Sequence, residues 1–190
     1  NVWAYHDRTA PTNTGTLAKS ASSTTALPNL TFDFLPDFTQ EPIVTTPPNQ
    51  QFNITNLFYW NNVIHDVMYM YGFDEVNGNF QDDNQGRGGA GNDHVNAEAQ
   101  DAGGSNGIIV HEYGHGISNR LTGGPANVGC LGNAEQMGEG WSDYYALMLT
   151  QNWATATLNT GFNSPRGIGT YAVNQATTGP GIRPARYTTD

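Results

Sequence analysis

Apolar positions along this chain gather into three patterned stretches separated by long polar ones. In the first, Ile54, Leu57, Phe58, Ile64, Val67, Met68 and Tyr71 recur largely at helical spacing, with Asn61 among them. That period predicts a long helix over 53–72 with a wide apolar face, and Gly72 supplies its stop. His65 and Asp66 lie inside it, and a lone histidine there is expected to be packed or hydrogen-bonded, not a ligand. In the second stretch, Ile108-Ile109-Val110 leads into another helix, with Ser105 or Asn106 as N-cap and Gly123-Gly124-Pro125 as its end. In the third, from about Ala134 to Gln151, Trp141, Tyr145, Leu147 and Met148 predict a helix packing below the second.

The polar stretches carry weaker signals. Residues 1–50 are rich in proline, threonine and asparagine, and the alternation from Leu30 to Phe34 predicts a short strand amid loops. Residues 77–107 are rich in glycine, asparagine and aspartate, and within them His94 to Ala99 alternates as a strand would. From Asn152 the chain returns to loops, with Gly167-Ile168-Gly169-Thr170-Tyr171 and Gly181-Ile182-Arg183-Pro184 as short ordered pieces. At 190 residues the chain is long enough for one sizeable core or two small lobes.

Charge narrows the partners. Seventeen acidic side chains against seven basic ones give a net charge of −10, and Lys19 is the single lysine. No basic patch can neutralise phosphates, so nucleic acid is excluded as a partner, and an anionic membrane is disfavoured. No apolar run approaches a membrane span. Cys130 stands alone, which rules out an intrachain disulfide and predicts a small buried hydrophobe in the loop between the last two helices. Asn29-Leu30-Thr31 and Asn53-Ile54-Thr55 match a glycosylation triplet too short to carry weight. The chain begins at Asn1 without a leader, so it is expected to be a mature product, an engineered piece or a fragment.

The chemistry concentrates at His111-Glu112-Tyr113-Gly114-His115 and at Gly138-Glu139-Gly140-Trp141-Ser142-Asp143. Histidines four apart on a helix project from one face, so both imidazoles can reach one ion. Glu139 follows beyond the Gly-Gly-Pro break, where a returning helix can present a third ligand. Zinc suits such a nitrogen and carboxylate set, and a catalytic site leaves its fourth position to water. Glu112 adjoins the first histidine and is placed to act as general base, which predicts metal-assisted hydrolysis of peptide bonds. Asp143, one turn beyond Glu139, can accept the other N–H of a ligating imidazole. Glu135 is the rival third ligand. Its other reading, a solvated residue in the first helical turn, is preferred. Asp82, Asp83, Asp93 and Asp101 could offer oxygens to Ca2+, but their spacing does not match an EF-hand loop.

The run from His111 to Pro125, the Gly138–Asp143 motif, Asn56-Leu57-Phe58-Tyr59-Trp60 through His65-Asp66 to Gly72-Phe73-Asp74-Glu75, Gly78-Asn79-Phe80-Gln81 and Gly181-Ile182-Arg183-Pro184 resemble the fungalysin family of secreted zinc metallopeptidases, relatives of the thermolysin-like gluzincins. The resemblance implies that His111, His115 and Glu139 hold Zn2+, that Glu112 is the base and that Asp143 orients His111. It implies a secreted, extracellular endopeptidase acting on proteins or peptides and made as a zymogen with an N-terminal propeptide. It further implies an α+β, zincin, thermolysin-like fold. On that expectation residues 1–190 are a partial catalytic domain, with an N-terminal strand-and-loop lobe over 1–107, zinc-site helices over 108–151 and the start of a C-terminal region over 152–190. The C-terminal helical lobe, which carries oxyanion donors in the family, is expected to be largely absent. The family also has a longer stretch between Gln100-Asp101 and the zinc helix, including an edge strand that pairs with substrate. Both departures favour a rival expectation, a catalytically silent, zinc-bearing extracellular binding module or processed fragment.

Overall fold

The computed structural model describes residues 1–6, 28, 31–40, 48–99, 106–135, 137–157, 159–160 and 164–188. Among these residues the elements are strand β1 (Val2–His6), helix α1 (Asn49–Met70), strand β2 (Val95–Ala99), helix α2 (Asn106–Gly123), helix α3 (Met137–Leu149) and a 3-10 turn at Tyr171–Val173. This is an α+β arrangement, as the resemblance implies. The strands pair in parallel, with Val2 opposite Val95 and His6 opposite Ala99. A parallel pair needs a long crossover, and the connection here contains α1, which packs on both strands and on α2.

Helix α1 begins one turn earlier than its apolar period predicts. Asn49 explains the extension, because its side-chain oxygen accepts from the Asp37 N–H at 2.6 Å while its amide donates to the Asp37 carbonyl at 3.0 Å. At the other end Gly72 adopts φ +93°, and the N–H groups of Tyr71 and Phe73 turn back to the Met68 carbonyl. His65 is buried and its Nε2 lies 3.0 Å from the Gln81 amide oxygen, so it is a hydrogen-bonded core residue as expected. Asn53 is buried inside α1 and is no glycosylation site.

Two expectations are corrected, and the choice of N-cap for α2 is narrowed. Residues 31–34 form no strand, and Phe32 is 40% exposed. The N-terminal strand is Val2–His6 instead, whose partner lies far along the chain and therefore leaves no local signature. Asn106 does not cap α2; it is the first helical residue, and its side-chain oxygen accepts from Asn56 at 2.7 Å. Ser105, Asp101, Asn29 and Lys19 lie outside the described residues. Helix α3 starts at Met137, not near Ala134, which leaves Glu135 exposed in the preceding turn. Trp141 is 39% exposed and lies outside the core, while Tyr145 and Leu147 pack on it as expected.

That core comprises Ile64 and Met68 from α1, Phe73, Val110, Tyr113 and Ile117 from α2, Ala146 from α3, and Ile168. Phe80 packs edge-on against both Phe73 and Tyr113, and the Arg120 guanidinium covers its ring at 4.6 Å. Where α2 meets α3, a Cβ built on Gly114 would lie 2.9 Å from Ser142 Oγ and 3.0 Å from its Cα. Gly114→Ala should therefore destabilise the protein by about 1–3 kcal/mol through overpacking, although helix propensity alone favours alanine by about 1 kcal/mol. Urea unfolding measures the sign, and a more stable variant would contradict the close approach.

Candidate metal centre

Helix α2 sets its two histidines one turn apart on one face. Their Nε2 atoms are 3.0 Å apart and their rings nearly perpendicular, at 87°. Helix α3 brings Glu139 against them, with Oε1 at 3.2 Å from His115 Nε2 and Oε2 at 3.4 Å from His111 Nε2. The three donor atoms lie within 4.8 Å of one another, and among the described residues no other group of three or more His, Cys, Asp or Glu side chains converges so.

The donor set fits a zinc ion. Ligand atoms about 2.0–2.1 Å from a tetrahedral ion lie roughly 3.3 Å from one another. The 3.0 Å between the ring nitrogens and the 3.2 Å from Glu139 Oε1 to His115 Nε2 are close to such edges, while the 3.4 Å to His111 Nε2 is made by the other oxygen, Oε2. His111 is buried while the side chains of His115 and Glu139 are partly exposed, so the cluster is open on one side.

Behind His111 stands Asp143, whose side chain is only 1% exposed. Its Oδ1 lies 2.7 Å from His111 Nδ1, although no aligned hydrogen bond reaches that nitrogen. A proton on Nδ1 faces this carboxylate and leaves Nε2 as the lone-pair donor toward the cluster.

The model of the fungalysin metallopeptidases (M36) matches this chain over residues 1–107 and again over 105–190. The chain belongs to the fungalysin family. Extracellular metalloproteinase 3 of Trichophyton tonsurans is 37% identical over 187 residues, taking in 76% of this chain and 29% of that protein. Extracellular metalloproteinase 3 of Arthroderma gypseum is 38% identical, with the same shares. That of Arthroderma otae is 39% identical over 170 residues, or 66% of this chain and 27% of its own. This fungalysin-family chain thus spans less than a third of the length of these relatives. The two matched segments of the family model meet at 105–107, where the sequence reading expects a shortened connection.

Glu112 lies outside the three-atom cluster, exposed, and lines a cavity of about 530 Å³ between α1, β2 and α2. Glu135 takes no part in the cluster. The aspartates considered for calcium are engaged elsewhere: Asp82 with His94, Asp83 with the Gln85 N–H, and Asp93 with Arg120 at 2.7 Å. Nothing in their arrangement supports a calcium site. Cys130 is half-buried and its thiol faces the Asn119 carbonyl at 3.6 Å, away from the cluster.

Sequence reasoning assigned no role to Arg183 or Tyr187, yet both reach this fungalysin site. Arg183 donates to Glu139 Oε2 at 2.7 Å and to both oxygens of Asp143, at 2.8 and 3.0 Å, while the Tyr187 hydroxyl donates to Asp143 Oδ2. The only available signal was their place in the Gly181–Pro184 motif and just beyond it.

These contacts set the protonation of both carboxyls. Hydrogen bonding from Arg183, opposed by burial and helped by the nearby imidazoles, holds Glu139 below its usual range. At Asp143 burial works upward, but the hydrogen bonds from Arg183 and Tyr187 and the charges of Arg183 and His111 outweigh it, and the net shift is downward. Burial and the hydrogen bond to Asp143 push the Tyr187 hydroxyl up to about 12. A carboxyl with a lowered folded pKa contributes stability that is full above its unfolded value and lost as pH falls through the folded one. Stability should therefore be level above about pH 4.5 and decline below it. Asp143→Asn should flatten that decline in urea unfolding at pH 6 and pH 3, and parallel curves for variant and parent would refute the coupling.

Proposed function

We propose that this chain carries the zinc centre of a secreted metalloendopeptidase, with His111, His115 and Glu139 as ligands, Glu112 as general base and Asp143 orienting His111. The observation that carries the reading is the convergence of three donor atoms on one point, with a buried carboxylate behind one of the imidazoles. We assign the fold as zincin-like and residues 1–190 to one partial catalytic domain, divided as the motifs suggest at 107 and 151.

A zinc ion held here supplies Lewis acidity to a substrate carbonyl and makes water acidic enough to lose a proton near neutral pH. The remaining work belongs to the chain. Glu112 accepts the proton of the attacking water and passes it to the departing amine nitrogen, so the carboxylate is restored after each turnover. The cavity beside it, walled by β2 and α1, gives a protein or peptide substrate access to that carboxylate. Asp143 keeps the His111 proton on Nδ1 and so keeps Nε2 available. Among the described residues no helix is long and apolar enough to cross a membrane, and the acidic balance disfavours nucleic acid. Family membership and the extracellular naming of the relatives support secretion and synthesis with an N-terminal propeptide.

Glu112→Gln should lower hydrolysis of casein or a quenched peptide by about 10²–10⁴-fold. Zinc content should stay at the parent's level, and parent activity should vanish with a chelator. Equal cleavage by variant and parent would remove Glu112 from the role of base. A parent that binds zinc but cleaves nothing would instead favour the silent, zinc-bearing binding module.

A further inference from the structure

Arg183 is delivered to the carboxylates of α3 by a tightly held segment. Gly181 bridges to Ile168, and a Cβ at 181 would lie 2.1 Å from the Ile168 carbonyl, so only glycine permits this approach. The Gly181 N–H donates to Gln175 at 2.8 Å and the Ile182 N–H to Ile168 at 2.9 Å. Farther on, Tyr187 pairs with Arg166, which is itself anchored to the Leu147 carbonyl of α3 at 2.7 Å. The guanidinium is therefore pinned to α3 from both sides, and it spans Glu139 and Asp143 at once.

Its contacts with the two Glu139 oxygens are unequal. Each oxygen faces one imidazole, Oε1 at 3.2 Å from His115 Nε2 and Oε2 at 3.4 Å from His111 Nε2, but Arg183 donates to Oε2, at 2.7 Å. We propose that Arg183 is a positioning residue that makes Glu139 a one-oxygen ligand, an inference that rests on the zinc reading above. A carboxylate with both oxygens free can chelate, which raises the coordination number and closes the position that water and substrate need. A guanidinium on Oε2 competes with that second contact and leaves Oε1, the oxygen nearer to an imidazole, to the ion. The same group, with Tyr187, holds Asp143 in place behind His111, so one cation aligns a ligand and the partner of another ligand.

The test uses the full chain and its Arg183→Ala and Arg183→Lys variants. Zinc affinity is measured by competition with a chromophoric chelator, and coordination by the visible absorption of the Co2+-substituted proteins. Arg183→Ala should bind zinc about 10–100-fold more weakly. Its cobalt band should also lose intensity as Glu139 takes up a second contact. Arg183→Lys keeps one charged donor and should recover part of both. Two results would overturn the proposal: zinc binding by Arg183→Ala as tight as or tighter than the parent's, which would make Arg183 a competitor of the ion, or weaker binding with an unchanged cobalt band. A parent that binds no zinc overturns the reading of the site itself, whatever the variants do.

Discussion

Between α2 and α3 there is room at residue 114 for a hydrogen and little else, since Ser142 would stand 2.9 Å from any Cβ placed there. Gly114 sits between His111 and His115, and Ser142 sits between Glu139 and Asp143. The contact therefore lies inside both paired motifs, one residue before His115 and Asp143 and three residues after His111 and Glu139. A wider spacing would carry Glu139 away from both ring nitrogens and Asp143 away from Nδ1. Gly138 extends the same closeness, with its Cβ position 3.5 Å from His115 Nδ1. Glycine in a helix interior costs about 1 kcal/mol relative to alanine. Here that cost is offset by a contact that ordinary side chains would prevent.

The electrostatics of the cluster follow from this closeness. Two carboxylates face two imidazoles and a single guanidinium, so with neutral rings the site retains a net negative charge. A divalent cation would complete the balance where the donor atoms converge. Arg183 limits the repulsion between Glu139 and Asp143 while leaving the imidazole side open. The most buried member, Asp143, is also the one with the most donors around it, which is what burial of a charge requires.

Legibility differed between the helices and everything around them. A period of 3.6 with a glycine stop is a local property, so α1, α2 and α3 were visible within a turn or so of their ends. The histidine pair was equally local, because two positions four apart share a face whatever the rest of the fold does. One end moved where a side chain found a partner elsewhere: Asn49 extended α1 by bonding Asp37. Strand β1 was missed because Val2–His6 becomes a strand only against Val95–Ala99, and no local pattern records a partner so distant.

The sequence by itself determined the ligand types, their helical phase and hence the class of ion they suit, since these depend on covalent spacing alone. It also determined membership of the fungalysin family through motifs that run along most of the chain. Tertiary structure decided which carboxylate joins the histidines, leaving Glu135 in solvent and bringing Glu139 in. It also decided that an arginine from the far end of the chain binds that carboxylate. Those outcomes depend on how closely helices and loops approach in space, a quantity set by packing of the whole core and by no single stretch of it.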